Sequence, residues 1–142
     1  MPTRREARER ALSLAYECEQ RESSIDDLLA DLPVDPDPYA TQLVRGVAEH
    51  HDEIDALLRK YSEHWALERM PVVDRALLRL GTFELAYLPD VPTAAVITEA
   101  VELAKQYSTK DSGRFVNGLL SRIAEAVRGP ESNGEATSND DE

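Results

Sequence analysis

Cys18 is the only cysteine in 142 residues, so the chain can form no internal disulfide and no thiolate cluster for zinc or an iron–sulfur centre. Such thiol poverty fits a protein of a reducing compartment, and a cytoplasmic location is expected. Long apolar runs are also missing. The longest stretch without a charged residue, Val91 to Thr98, spans eight residues, where a membrane helix needs about 20. Arg4, Glu6, Arg8 and Arg10 stand where a signal peptide would carry apolar residues, so neither membrane insertion nor secretion is expected. The six glycines are scattered and form neither a G-x-x-x-x-G-K-[ST] nor a G-x-G-x-x-G phosphate loop. Basic residues are outnumbered 16 to 28, and the formal charge of −12 argues against coating of nucleic acid by net attraction.

The charge is unevenly spread. Between Glu17 and Pro38 eight acids face one base, and five acids and no base follow Gly129, whereas residues 1–10 hold four arginines against two glutamates. An anionic ligand belongs at that basic end. The 42% apolar residues suffice for one compact domain, and they recur with helical spacing. Ala7, Ala11, Leu14, Ala15 and Cys18 predict a helix from Arg4 to about Arg21. Ser24 predicts the N-cap of a short helix reaching about Leu32. Leu43, Val44, Val47, Ile54, Leu57, Leu58 and Tyr61 predict one long helix from Tyr39 to about Tyr61.

A short turn over Ser62 to Met70 is expected to bury Trp65, the only tryptophan. Pro71 suits the first turn of a helix carrying Val73, Ala76, Leu77, Leu80, Phe83 and Tyr87. Thr93 is expected to cap the next, and a last helix carries Phe115, Val116, Leu119, Leu120, Ile123 and Val127. No segment alternates with period two for long enough to predict a strand. The expected fold is therefore all-α, with about seven helices in two small sub-bundles, about 3–64 and 65–128. Gly81 and Gly118 lie inside helices, where close helix–helix approach would justify them. The tail 129–142, lacking large apolar residues, is expected to be disordered.

No constellation for catalysis emerges. His50 with Glu53, or His51 with Asp55, has metal-binding spacing, but no third ligand stands near and the segment reads as a polar helix face. Cys18 lies on an apolar stripe, as a structural thiol does. No enzyme activity, metal or cofactor is expected. Two basic groups are better candidates for nucleic acid. On a helical wheel Arg4 and Arg8 share a face and Arg5 points about 100° away, which sets guanidinium groups along a phosphate backbone. Lys105, Tyr107, Lys110, Arg114 and Phe115 surround the turn between the last two helices, where a base can stack while phosphates meet cations. Tyr16, off the apolar stripe, and Asp74-Arg75, at a helix start, are candidates for a protein contact.

The order of these segments is familiar. Asp74-Arg75-Ala76-Leu77-Leu78-Arg79-Leu80, Phe83-Glu84-Leu85, Asp90-Val91-Pro92, Glu99-Ala100-Val101-Glu102-Leu103-Ala104-Lys105 and Phe115-Val116-Asn117-Gly118-Leu119-Leu120 resemble the C-terminal half of the NusB transcription antitermination family. Arg4 to Tyr16 resembles that family's arginine-rich first helix. The resemblance implies a non-catalytic role: binding boxA-like single-stranded leader RNA together with ribosomal protein NusE, in an RNA polymerase antitermination complex that keeps transcription of ribosomal RNA operons processive. It implies RNA contacts for Arg4, Arg5, Arg8, Lys105, Lys110, Arg114 and Phe115, and NusE contacts for Tyr16 and Asp74. A homodimer is left open, and the alternative is a helical protein adaptor with little RNA affinity. The family's domain also occurs fused to ribosomal RNA methyltransferases, for which 142 residues leave no room.

Overall fold

The computed structural model describes residues 2–63 and 65–129. Almost all of the acidic tail, with its expected disorder, lies outside the described residues, as does His64. The described residues form seven α-helices and no strand: α1 (Arg4–Arg21), α2 (Ile25–Asp31), α3 (Pro38–Glu49), α4 (His51–Tyr61), α5 (Val72–Tyr87), α6 (Thr93–Tyr107) and α7 (Ser112–Arg128), with a 3-10 turn at Leu67–Arg69. None of these helices is long and apolar enough to cross a membrane.

Local chemistry sets the helix starts. Thr3 and Glu6 form a reciprocal capping box on α1, the Glu6 amide donating to Thr3 Oγ1 (3.0 Å) and the Thr3 amide to Glu6 Oε1 (2.9 Å). The Ser24 hydroxyl caps α2 by accepting from the Asp27 amide. Asp37 caps α3 by accepting from the Tyr39 and Ala40 amides, with Pro38 in the first turn. Pro92, and not Thr93, precedes α6; Thr93 is its first residue and its hydroxyl accepts from Arg128.

The long helix expected from Tyr39 to Tyr61 is two helices. His50 leaves helical geometry (φ −112°, ψ 27°), and its ring stacks on Tyr87 with centroids 3.9 Å apart. Val47 and Ile54 stand one heptad apart, so the apolar pattern runs through the break unchanged and conceals it. The break lets α3 pack on α1 and α5 while α4 packs on α5 and α7.

Helix α5 is the axis of the molecule, touching α1, α3, α4, α6 and α7. Ten of its sixteen residues are buried, including Asp74, Thr82 and Glu84. Two glycines permit close packing on it. A Cβ at Gly46 would lie 2.1–2.6 Å from the Phe83 ring, and one at Gly81 2.9 Å from Leu120. Gly118 differs from expectation: its nearest neighbour would be the Arg122 guanidinium at 3.8 Å, so no helix approaches closely there.

Candidate RNA and partner interfaces

The start of α1 presents its arginines unequally. Glu6 is occupied by the capping box, which leaves Arg4 and Arg5 exposed. The Arg4 guanidinium lies 3.7 Å from the centroid of the Tyr39 ring, a cation–π shelf that holds the charge outward. Arg5 makes no ion pair among the described residues.

Arg8 corrects the wheel-based expectation. It is buried, 6% exposed, with its guanidinium bidentate on Glu84 (2.8–3.1 Å) and a second arm on Glu99. A wheel records direction relative to one apolar stripe, but α1 is covered on two sides, by α3 and α5, and Glu99 arrives from α6. Burial works against the Arg8 charge; the hydrogen bonds and charges of Glu84 and Glu99 outweigh it and raise the pKa above its ordinary value. Such a guanidinium is committed to the fold and has no free edge for phosphate.

Tyr39 joins the same network by donating its hydroxyl to Glu84. Burial first, then the Glu84 hydrogen bond and charge, push its phenol well above the ordinary value near 10. The fold thus favours the neutral phenol. Its contribution to stability is full below about pH 10 and is lost as pH rises toward the folded-state value. Tyr87, partly buried, and Tyr107, exposed, shift in the same direction but make no hydrogen bond to a buried carboxylate among the described residues. Urea melts across the alkaline range should show a steep loss of stability that Tyr39→Phe largely flattens. An identical loss in the variant would place its cause elsewhere.

At the far end of α5 lies the second basic group. Lys105, Lys110 and Arg114 are exposed; Lys105 has a loose contact to Glu102 (3.8 Å), while Lys110 and Arg114 make no ion pair among the described residues. Phe115 is half-buried against the core and meets Trp65 edge-on, with centroids 6.0 Å apart at 65°. Trp65 was expected in the core and is instead 55% exposed, while Leu67 and Met70 on the same turn are buried. Tyr107 is exposed and donates its hydroxyl to Glu9, tying this end of α6 to α1.

Asp74 also departs from expectation. It is 3% exposed and accepts from the Ser108 hydroxyl (2.5 Å) and the Ser112 hydroxyl (2.9 Å), so it stitches the first turn of α5 to the α6–α7 turn. Neighbouring Arg75 is likewise occupied, by Glu19 and the carbonyls of Met70 and Leu67. Tyr16 remains open, 44% exposed, beside a groove of about 660 Å³ that Leu12, Val73 and Tyr107 also line.

The distances along α5 decide how these groups can act together. Arg8 meets α5 at Glu84 and the α6–α7 turn meets it at Asp74, ten residues away, or about 15 Å of helix at 1.5 Å per residue. The two basic groups are therefore separate footholds. Among the described residues no three His, Cys, Asp or Glu side chains group as metal ligands, and Asp55, paired in sequence with His51, is held bidentate by Arg79 (2.9 and 3.0 Å). Tyr39, Glu84, Glu99 and Trp65 were not legible as parts of these surfaces; only the isolated tryptophan offered a signal.

A family model described as NusB family matches residues 5–125. The chain belongs to the NusB family. Its curated relatives include the transcription antitermination protein NusB of Kineococcus radiotolerans, 50% identical over 129 residues that span 88% of this chain and 95% of the relative. That of Salinispora arenicola is 47% identical over 132 residues, spanning 88% and 97%. Among solved structures, T. maritima NusB superposes with a TM-score of 0.81 at 37% identity, covering 94% of this chain and 98% of that one. A complex of the antitermination factors NusB and NusE with double-stranded RNA contains a chain 31% identical, with a TM-score of 0.73 and coverage of 87% and 96%. The NusB family comprises antitermination factors and not enzymes.

Proposed function

We propose that this NusB-family chain binds boxA-type leader RNA together with ribosomal protein NusE, acting in the cytoplasm within the polymerase antitermination complex that transcribes ribosomal RNA operons. One observation carries the RNA reading. In a chain of charge −12, Arg21, Arg45 and Arg59 are each paired with a carboxylate, whereas Arg4 and Arg5 at one place and Lys110 and Arg114 at another are exposed in pairs without one among the described residues, as are Lys60, Arg69 and Arg122 singly. Exposed cations at two separate footholds suit the phosphates of an extended RNA strand. The related complex with NusE and RNA supports both partners. Tyr16, beside its groove, is the proposed NusE contact; Asp74 supports that surface from inside.

Affinity for boxA-type RNA at several salt concentrations, with and without NusE, tests this reading. Arg4→Ala and Arg5→Ala should each lower the slope of log K against log salt by roughly 0.7. Arg8→Ala should instead lower the melting temperature while folded protein keeps its slope. Unchanged slopes in the Arg4 and Arg5 variants, with NusE binding intact, would identify a protein adaptor instead. Titrating single- and double-stranded forms of the same RNA shows which is bound.

A further inference from the structure

Trp65 is the most exposed aromatic side chain among the described residues, yet its backbone is hydrogen-bonded on both sides. The Ser62 hydroxyl donates to the Trp65 carbonyl (2.8 Å), and the Trp65 amide donates to the Ser62 carbonyl (3.2 Å). Glu63, between them, takes a left-handed conformation (φ 60°) that few non-glycine residues adopt. The backbone of Trp65 is thus tied to Ser62, and the edge contact of its indole to Phe115 closes one side.

The two rings, with Met70 and Pro71, border a cleft of about 370 Å³. Arg69 lines it and makes no ion pair among the described residues; Lys110 and Arg114 flank its wall in the chain. Of the two carboxylates on the cleft, Asp74 is spent on the Ser108 and Ser112 hydroxyls, which leaves Asp111 beside Arg69 among the lining residues, with Lys110 and Arg114 at adjoining positions of the chain. An aromatic corner with a guanidinium on its wall and two more exposed cations next to it in the chain suits a ligand that is planar and anionic together, as a nucleotide is, better than an apolar protein side chain.

We propose that Trp65 is a base-stacking residue: one unpaired base of the bound RNA lies on the open indole face, Phe115 fixes the ring from its edge, and the adjoining phosphates meet Arg69, Lys110 and Arg114. This rests on the RNA-binding reading above and adds a contact to it. Phe115 then acts through Trp65 as well as through its own surface.

Trp65 is the only tryptophan, so its emission reports on the cleft alone. The full chain is titrated with a boxA-type single-stranded oligonucleotide, following indole emission and, in parallel, anisotropy of end-labelled RNA. Emission should change with the same midpoint as anisotropy. Trp65→Ala should weaken binding by about five- to 150-fold, the usual range for loss of one stacked base, with an unchanged salt slope. Trp65→Phe, which keeps a ring, should lose much less. Saturation by anisotropy without any emission change would overturn the proposal and leave RNA binding standing, and so would a Trp65→Ala affinity within about twofold of the unaltered chain. An emission change on adding NusE but none on adding RNA would also overturn it, giving the cleft to protein. No RNA binding by the unaltered chain would overturn the functional reading itself. The wild-type titration decides even where Trp65→Ala does not fold.

Discussion

Glu84→Ala is expected to cost about 3–5 kcal/mol of folding stability, the range for breaking a buried ion pair by removing one partner. The Glu84 carboxylate is 2% exposed and accepts from the Arg8 guanidinium twice over and from the Tyr39 hydroxyl. Its removal leaves Arg8 with Glu99 alone, and Glu99 is partly open to water. It also strands the Tyr39 hydroxyl in the core, a further loss of a satisfied buried group. The melting temperature should fall by roughly 10–20 °C for a domain of this size. Glu84→Gln, which keeps the shape and one acceptor, should lose less. In a double-mutant cycle, Arg8→Met with Glu84→Ala should lose less than the sum of the single changes, because no unpaired charge is then buried. A Glu84→Ala loss below about 1 kcal/mol would mean that water reaches Arg8 and the network is not a buried one.

The functional consequence runs through α1. Arg8 pins the first turns of that helix to α5 and α6, and Tyr39, bonded to the same Glu84, is the shelf on which Arg4 lies. One buried carboxylate thus stabilises the fold and positions an exposed guanidinium. RNA affinity measured on the folded fraction of Glu84→Ala should fall as it does in Arg4→Ala.

What could be read from sequence divides along a physical line. The helices were legible because a stripe such as Val96, Ile97, Ala100, Leu103 and Ala104 is a property of one segment. Caps such as Ser24 are local in the same way. Arg8 and Asp74 were misplaced because their partners come from distant segments, Glu84 and Glu99 for Arg8 and Ser108 and Ser112 for Asp74; Trp65 meets an edge of Phe115 from the last helix and stays 55% exposed. A charged residue reads as surface until its partners are known, and a tryptophan reads as core by its apolar bulk alone. Arg4, Arg5, Lys110 and Arg114 are exposed, as expected, and form no ion pair among the described residues.

Asp74→Lys is expected to destabilise the protein by about 3–5 kcal/mol and to abolish NusE binding only through unfolding. The substitution places an ammonium where the Ser108 and Ser112 hydroxyls donate, 2.5 and 2.9 Å from the lost carboxylate oxygens, in a site 3% exposed. It also puts positive charge in the first turn of α5, where the helix N-terminus favours an acid. Asp74→Asn keeps an acceptor and should cost about 1–2 kcal/mol. Tyr16→Ala is the contrasting case: its side chain is largely outside, so the melting curve should hardly move while NusE affinity falls. Calorimetric titration with NusE at a temperature where each variant is folded, beside thermal melts, separates these outcomes. If Asp74→Lys melts like the unaltered chain and still loses NusE, the Asp74 side chain turns outward to the partner in solution and the serine contacts do not hold it. If Tyr16→Ala keeps full NusE affinity, the groove beside Tyr16 is not the partner surface, because the most accessible ring on that face of α1 would then contribute nothing to the contact.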